Sequence, residues 1–157
     1  RIRAGCTLWR GNNADFREPT AATLVSGPMR RRVAPSAVSP WILLVEDDAL
    51  MRRMVHAVLT AQGWVVQLAS SAEQAMAMVN DTLTPPAVLL CDVMLPRSNG
   101  LDLSFQLLQR IPRLSVILIT GHLAALNWLP SDTGQVKVLN KPFESRDLVQ
   151  QVRQALG

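Results

Sequence analysis

Five short apolar runs recur along this chain, and four of them are followed by a stretch with helical periodicity. The runs are Trp41 to Val45, Trp64 to Leu68, Ala87 to Cys91, Ser115 to Ile119 and Val136 to Leu139. A short apolar run bounded by turn signals reads as a strand, and Ala87 to Cys91 and Ser115 to Ile119 read as strands buried on both faces. Between the runs, apolar residues fall at helical spacing. Met51, Met54, Val55, Val58 and Leu59 mark one face, and Ala72, Ala75, Met76 and Val79 a second. Leu101, Phe105, Leu108 and Ile111 mark a third, and Leu148, Val152, Ala155 and Leu156 the last. Leu123 to Trp128 reads as a short fourth helix stopped by Pro130. Helix starts are signalled by Ser70 or Ser71 for the second helix and by Asp47 or Asp48 for the first.

Strands alternating with helices through short loops require parallel strands and right-handed crossovers. Helices apolar on one side only must cover both faces of a single sheet. The expected fold is therefore α/β, a doubly wound five-stranded parallel sheet of order 2-1-3-4-5 in a three-layer (βα)5 sandwich, which is a flavodoxin-like architecture. In that order the first and third strands are adjacent, and the switch point lies between them. Ligands of such sheets bind outside the carboxyl ends of the strands.

Charge divides the chain. Residues 1–40 carry seven Arg against Asp15 and Glu18, are broken by Pro19, Pro28, Pro35 and Pro40, and show no sustained period. They are expected to be a disordered basic arm. The first Met is Met29, so residues 1–28 are read as an over-extended start, which peptides from that stretch in the natural protein would refute. Residues 41–157 are close to neutral, with nine basic and ten acidic side chains, and are expected not to bind DNA through charge. No apolar run approaches the roughly 20 residues of a membrane span. Cys6 and Cys91 suggest neither a disulfide framework nor a zinc site, so a cytoplasmic setting is expected.

Polar residues close the strands. Glu46 and Asp47 follow the first, Asp92 ends the third, Thr120 follows the fourth and Lys141 the fifth. Each alone could be a helix cap or a surface residue. The expected topology brings all of them to one edge. Carboxylates about 4 Å apart repel by about 4 kcal/mol per pair at an effective dielectric of about 20. The cluster therefore needs a cation or a raised pKa. Two or three carboxylates in an all-oxygen site suit Mg²⁺. Asp92 could then act as a nucleophile toward phosphorus, with Lys141 and Thr120 stabilising the phosphoryl oxygens. The chain has no glycine-rich phosphate loop and no nucleotide fingerprint, so the phosphoryl group is expected from an activated donor rather than from bound ATP.

These residues resemble those of bacterial response regulator receiver domains. Leu-Leu-Val-Glu46-Asp47-Asp48, Cys-Asp92-Val-Met-Leu-Pro96 with Gly100, Ile-Thr120-Gly121 and Lys141-Pro142-Phe143 match the family's motifs in order and spacing. The resemblance covers residues 41–156 and implies that Asp92 is the phosphoacceptor of a two-component phosphorelay, served by a histidine kinase or phosphotransfer protein. It implies Mg²⁺ held by Glu46, Asp47, Asp92 and the Met94 carbonyl, with Lys141 pairing with the phosphate and Thr120 moving onto it. It also implies a cis Lys141-Pro142 bond, at most self-catalysed phosphotransfer and autodephosphorylation rather than classical enzyme activity, and compatibility with a phosphorylation-dependent homodimer.

Three positions depart from the family's pattern. Val138 stands where Phe or Tyr is common, so the aromatic rotamer switch coupled to Thr120 has no aromatic there. Trp128-Leu129-Pro130 falls where a longer fourth helix is usual. Glu46 replaces the commoner Asp. His56 reads as a helix-surface residue and His122 as a loop residue. The resulting expectation is a receiver without an attached output domain that signals to an unidentified protein target by contact. The alternatives are a receiver-fold binding module that is not phosphorylated, or a fragment of a larger regulator or hybrid kinase. A small phosphatase is a weaker reading, because the acid it needs two residues after Asp92 is Met94.

Overall fold

The structure, a computed structural model, describes residues 39–122 and 134–157. Strand β1 (Trp41–Val45) leads into helix α1 (Ala49–Thr60), then β2 (Val65–Ala69), α2 (Ala72–Asp81) and β3 (Val88–Asp92). Two short strands follow, β4 (Met94–Leu95) and β5 (Ser98–Asn99), then α3 (Gly100–Arg110), β6 (Ser115–Thr120), β7 (Val136–Asn140) and α4 (Ser145–Leu156). The expected helix over Leu123 to Trp128, the Trp128–Pro130 departure and the arm up to residue 38 lie outside the described residues.

The main sheet has the order β2-β1-β3-β6-β7, with every neighbouring pair parallel. Counting only these five strands, this is the expected 2-1-3-4-5 arrangement. Side chains alternate between its faces. Trp41, Leu43 and Val45 join the core under α2 and α3, with Leu89, Cys91, Leu103 and Leu107. Ile42 and Leu44 join the core under α1 and α4, with Val55, Leu59, Leu148 and Val152. Each fully buried Leu or Ile contributes about 1.5–3 kcal/mol, so the two cores fix the sheet and leave its carboxyl edge free for polar residues.

The structure corrects several local expectations. The second strand starts one residue later than its apolar run, and Trp64 packs half-buried before it. After Asp92 the chain forms a small element that periodicity does not show. Met94 pairs with Asn99 and Leu95 with Ser98 in a small antiparallel hairpin, whose tip residue Arg97 has φ of 65°. Tight hairpins favour positive φ at their tips. On α1, Met54 is 57% exposed rather than inward, while Val55 and Leu59 are buried and Met51 and Val58 pack against the core beside them. On α3, Phe105 is an exposed side chain, while Leu103, Ser104 and Leu107 take the buried face. Leu101 and Ile111 are buried and Leu108 packs against the core, as the spacing predicts, so Phe105 is the one residue of that face that falls outside.

Candidate functional site

Strand register sets the site. Val45 pairs with Cys91, which puts Glu46 and Asp92 side by side at the ends of β1 and β3. Asp92 pairs with Ile119, and Thr120 with Asn140. The Lys141 N–H donates to Thr120 O at 2.7 Å, carrying the ladder one residue past β7. Four strands that are far apart in sequence therefore end at one place, beside the β1–β3 switch point.

The sequence left open which of two aspartates caps α1. Asp48 is the cap, its carboxylate accepting from the Met51 N–H at 2.7 Å. Asp47 is thereby free to face the site. One carboxylate oxygen from each of Glu46, Asp47 and Asp92 lies within 4.8 Å of the others. Glu46 is 1% exposed and Asp92 7%, whereas Asp47 is exposed. Such an all-oxygen set can hold a metal ion, and hard divalent cations such as Mg²⁺ fit it.

Lys141 stands across this group. Its Nζ lies 2.6 Å from Asp92 Oδ2 and 3.0 Å from Glu46 Oε2. The remaining oxygen of Asp92 accepts from the Met94 N–H at 2.9 Å, and Glu46 Oε1 accepts from the Asp48 N–H at 3.4 Å. Burial pushes the Glu46 carboxyl above its ordinary value, with the charge of Asp92 adding to the rise, and Lys141 only partly reverses it. Lys141 is itself raised. Its desolvation acts against the charge, but two carboxylate partners outweigh it. The two shifts are consistent, since the lysine has two anions while Glu46 shares one cation and faces a second anion.

Thr120 is fully buried at the end of β6, its Oγ accepting from the His122 N–H at 3.0 Å. Met94 sits in the hairpin directly after Asp92, its side chain 68% exposed. The Lys141-Pro142 bond is cis, as expected. Val138 is half-buried and packs against the α2–α3 core. His56 is half-buried on α1, and His122 is exposed. Cys91 is no nucleophile. It is fully buried, and burial drives its thiol far above the usual range.

Two contributors escaped the sequence reading. Gly100 stood in the sequence as part of the Asp92 motif, with no structural role attached to it. A Cβ there would overlap the carbonyl oxygen of Asp92 and crowd Cys91 Sγ. Arg52, in the first turn of α1, donates through Nη1 to Glu46 O at 2.6 Å and to Asp47 O at 3.1 Å. A cation near a helix N-terminus opposes the macrodipole, and that was the one available signal.

A doubly wound parallel sheet with an acidic group and a lysine at its switch point defines a class of signalling domain. Residues 42–153 match the family described as "Response regulator receiver domain", and the chain belongs to that family. The chain is 34% identical over 116 residues to the transcriptional regulatory protein CpxR of Klebsiella pneumoniae, a match covering 73% of this chain and 48% of CpxR. It is also 34% identical over 116 residues to the response regulator receiver protein CpdR of Brucella abortus, covering 73% of this chain and 95% of CpdR. The chain thus spans about half the length of CpxR and nearly all of CpdR, at the same identity. Among solved structures, the receiver domain of the hybrid histidine kinase CckA aligns with a TM-score of 0.63 and 27% identity, over 74% of this chain and 98% of that one. Among the described residues no helix is long and apolar enough to cross a membrane.

Proposed function

We propose that residues 41–157 form a phosphorylatable receiver, in which Asp92 accepts a phosphoryl group from a histidine kinase or phosphotransfer protein. The observation that carries the reading is the contact of Lys141 with both Asp92 and Glu46, inside a group of three carboxylates. A structural ion pair at a sheet edge needs one acid and one base. Three clustered carboxylates, two of them sharing one lysine, leave negative charge over, which suits a divalent cation.

Glu46, Asp47, Asp92 and the Met94 carbonyl are the proposed metal-holding groups. When bound there, Mg²⁺ would supply charge neutralisation for the incoming phosphoryl oxygens. An Asp92 carboxylate oxygen forms the new O–P bond as the P–N bond of the donor phosphohistidine breaks. The electron pair of that bond returns to the imidazole nitrogen, which takes a proton from solvent. Lys141, already 2.6 Å from Asp92, moves with its charge onto a phosphoryl oxygen. The Thr120 hydroxyl, whose oxygen accepts from the His122 N–H, donates its proton to a phosphoryl oxygen. Autodephosphorylation follows when water attacks phosphorus and Asp92 leaves as carboxylate.

Cytoplasmic signalling by contact with a protein target belongs to the same proposal, as does phosphorylation-dependent homodimerisation. The test is Mg²⁺-dependent trapping of a beryllofluoride adduct, read by fluorine NMR and intact mass. Wild-type protein is expected to form the adduct and Asp92→Asn to form none. No adduct in the wild type, or an undiminished one in Asp92→Asn, would overturn the proposal in favour of a binding module that uses the same fold.

A further inference from the structure

We infer that Arg52 is a positioning residue that holds the acidic pair in shape for a cation. Two successive carbonyls converge on this one side chain. Nη1 donates to Glu46 O at 2.6 Å and to Asp47 O at 3.1 Å, while the Arg52 N–H makes the ordinary first helical bond to Asp48 O at 2.9 Å. These bonds turn the backbone of the loop toward α1, while the Glu46 and Asp47 carboxylates meet Asp92.

The arrangement answers a specific problem. Three carboxylates within 4.8 Å of one another push the loop that carries two of them away from β3. Lys141 counters this from the front, but it does so by occupying Glu46 Oε2 and Asp92 Oδ2. Arg52 counters it from behind, through the main chain, and occupies no carboxylate oxygen. Its place in the first turn of α1, where a cation is disfavoured, is explained by these carbonyl contacts. Groups that orient ligands from outside the coordination shell commonly tune metal affinity about 10–100-fold.

The inference rests on the proposed metal-holding role of the acidic group, and the experiment separates the two. Mg²⁺ affinity of the whole chain is measured by titration calorimetry, alongside the urea midpoint. Wild-type protein is expected to bind Mg²⁺, and Asp47→Asn to lose most of that binding. Arg52→Met and Arg52→Gln, which keep part of the stem but cannot reach both carbonyls, are expected to weaken binding by about 10-fold or more. Arg52→Lys, which restores charge and a donor, is expected to recover part of it. Arg53→Gln removes the same charge from the exposed neighbouring position and is expected to leave binding unchanged. A simple charge effect would instead make Arg52→Met bind Mg²⁺ more tightly, and would do the same to Arg53→Gln. Either of the two neutral Arg52 variants that folds and binds Mg²⁺ as well as the wild type, or better, overturns the role of Arg52. No binding by the wild type, or full binding by Asp47→Asn, overturns the metal role itself.

Discussion

Gly100 packs directly on the main chain of Asp92, so closely that a side chain there would occupy the space of the Asp92 carbonyl oxygen. The first residue of α3 thereby fixes the backbone from which the Asp92 carboxylate projects. The Gly100 N–H donates to Val93 O at 3.0 Å, and Ser104 Oγ donates to Gly100 O at 2.7 Å, so the contact is tied on both sides. The requirement at Gly100 is one of space, since Gly100 is not among the residues with positive φ.

Gly100→Ala is accordingly expected to destabilise the domain by about 1–3 kcal/mol, the usual cost of forcing volume into a packed site. Urea unfolding measures it. Stability equal to wild type would show that α3 can shift without penalty.

Asp48 caps α1 while Asp47 belongs to the acidic group, and single substitutions should separate the two. Asp48→Ala removes the α1 cap and is expected to lower stability by about 1 kcal/mol while Mg²⁺ binding persists. Asp47→Ala removes an exposed member of the acidic group. It is expected to change stability by no more than about 0.5 kcal/mol while weakening Mg²⁺ binding. Paired urea and calorimetric titrations check both, and the opposite pattern would reverse the assignment of cap and ligand.

Lys141→Met leaves the buried Glu46 carboxylate without its cation. In metal-free buffer at neutral pH the expected loss is about 1–3 kcal/mol, the cost of an unsatisfied buried acceptor. The double variant Glu46→Gln/Lys141→Met should recover part of that loss, because it removes the stranded charge. A double variant no more stable than Lys141→Met would show that the loss lies elsewhere.

The pH dependence of metal-free stability follows from two raised groups. Native Glu46 keeps its proton above the ordinary 4.5, so in that window the native state binds more protons than the unfolded chain. Its contribution to stability therefore falls as pH rises through the window. The Lys141 contribution is fully present below 10.5 and is lost as pH climbs through its raised folded value. Glu46→Gln should flatten the acidic slope and Lys141→Met the alkaline one, as read from urea midpoints across pH. An acidic slope that survives Glu46→Gln unchanged would assign it to other carboxylates.

Period and punctuation carried much of this fold. The central runs Trp41 to Val45 and Ala87 to Cys91 announced themselves because a strand buried on both faces has no polar position to hide its pattern. The helices were located by spacing, yet Met54 and Phe105 were assigned to the wrong side. A helix face spans a broad arc, and spacing does not mark which positions at its margin meet solvent. The site was legible as residue types at strand ends. Residue type alone did not separate Asp47 from Asp48, because both satisfy the same capping rule, and the family resemblance was what singled out Asp47. Arg52 and Gly100 act through main-chain atoms, and a sequence does not display which carbonyls a side chain will meet.

The sequence by itself determined the order of elements, the doubly wound sheet and the set of polar side chains delivered to its carboxyl edge, because these follow from local periodicity and chain connectivity. Only the tertiary structure decided that Lys141 bridges Asp92 and Glu46, that Asp48 caps while Asp47 faces the site, and that Arg52 and Gly100 brace the backbone around them. Those outcomes depend on ångström-scale distances between residues as many as 95 positions apart, and register across neighbouring strands, not local pattern, sets such distances.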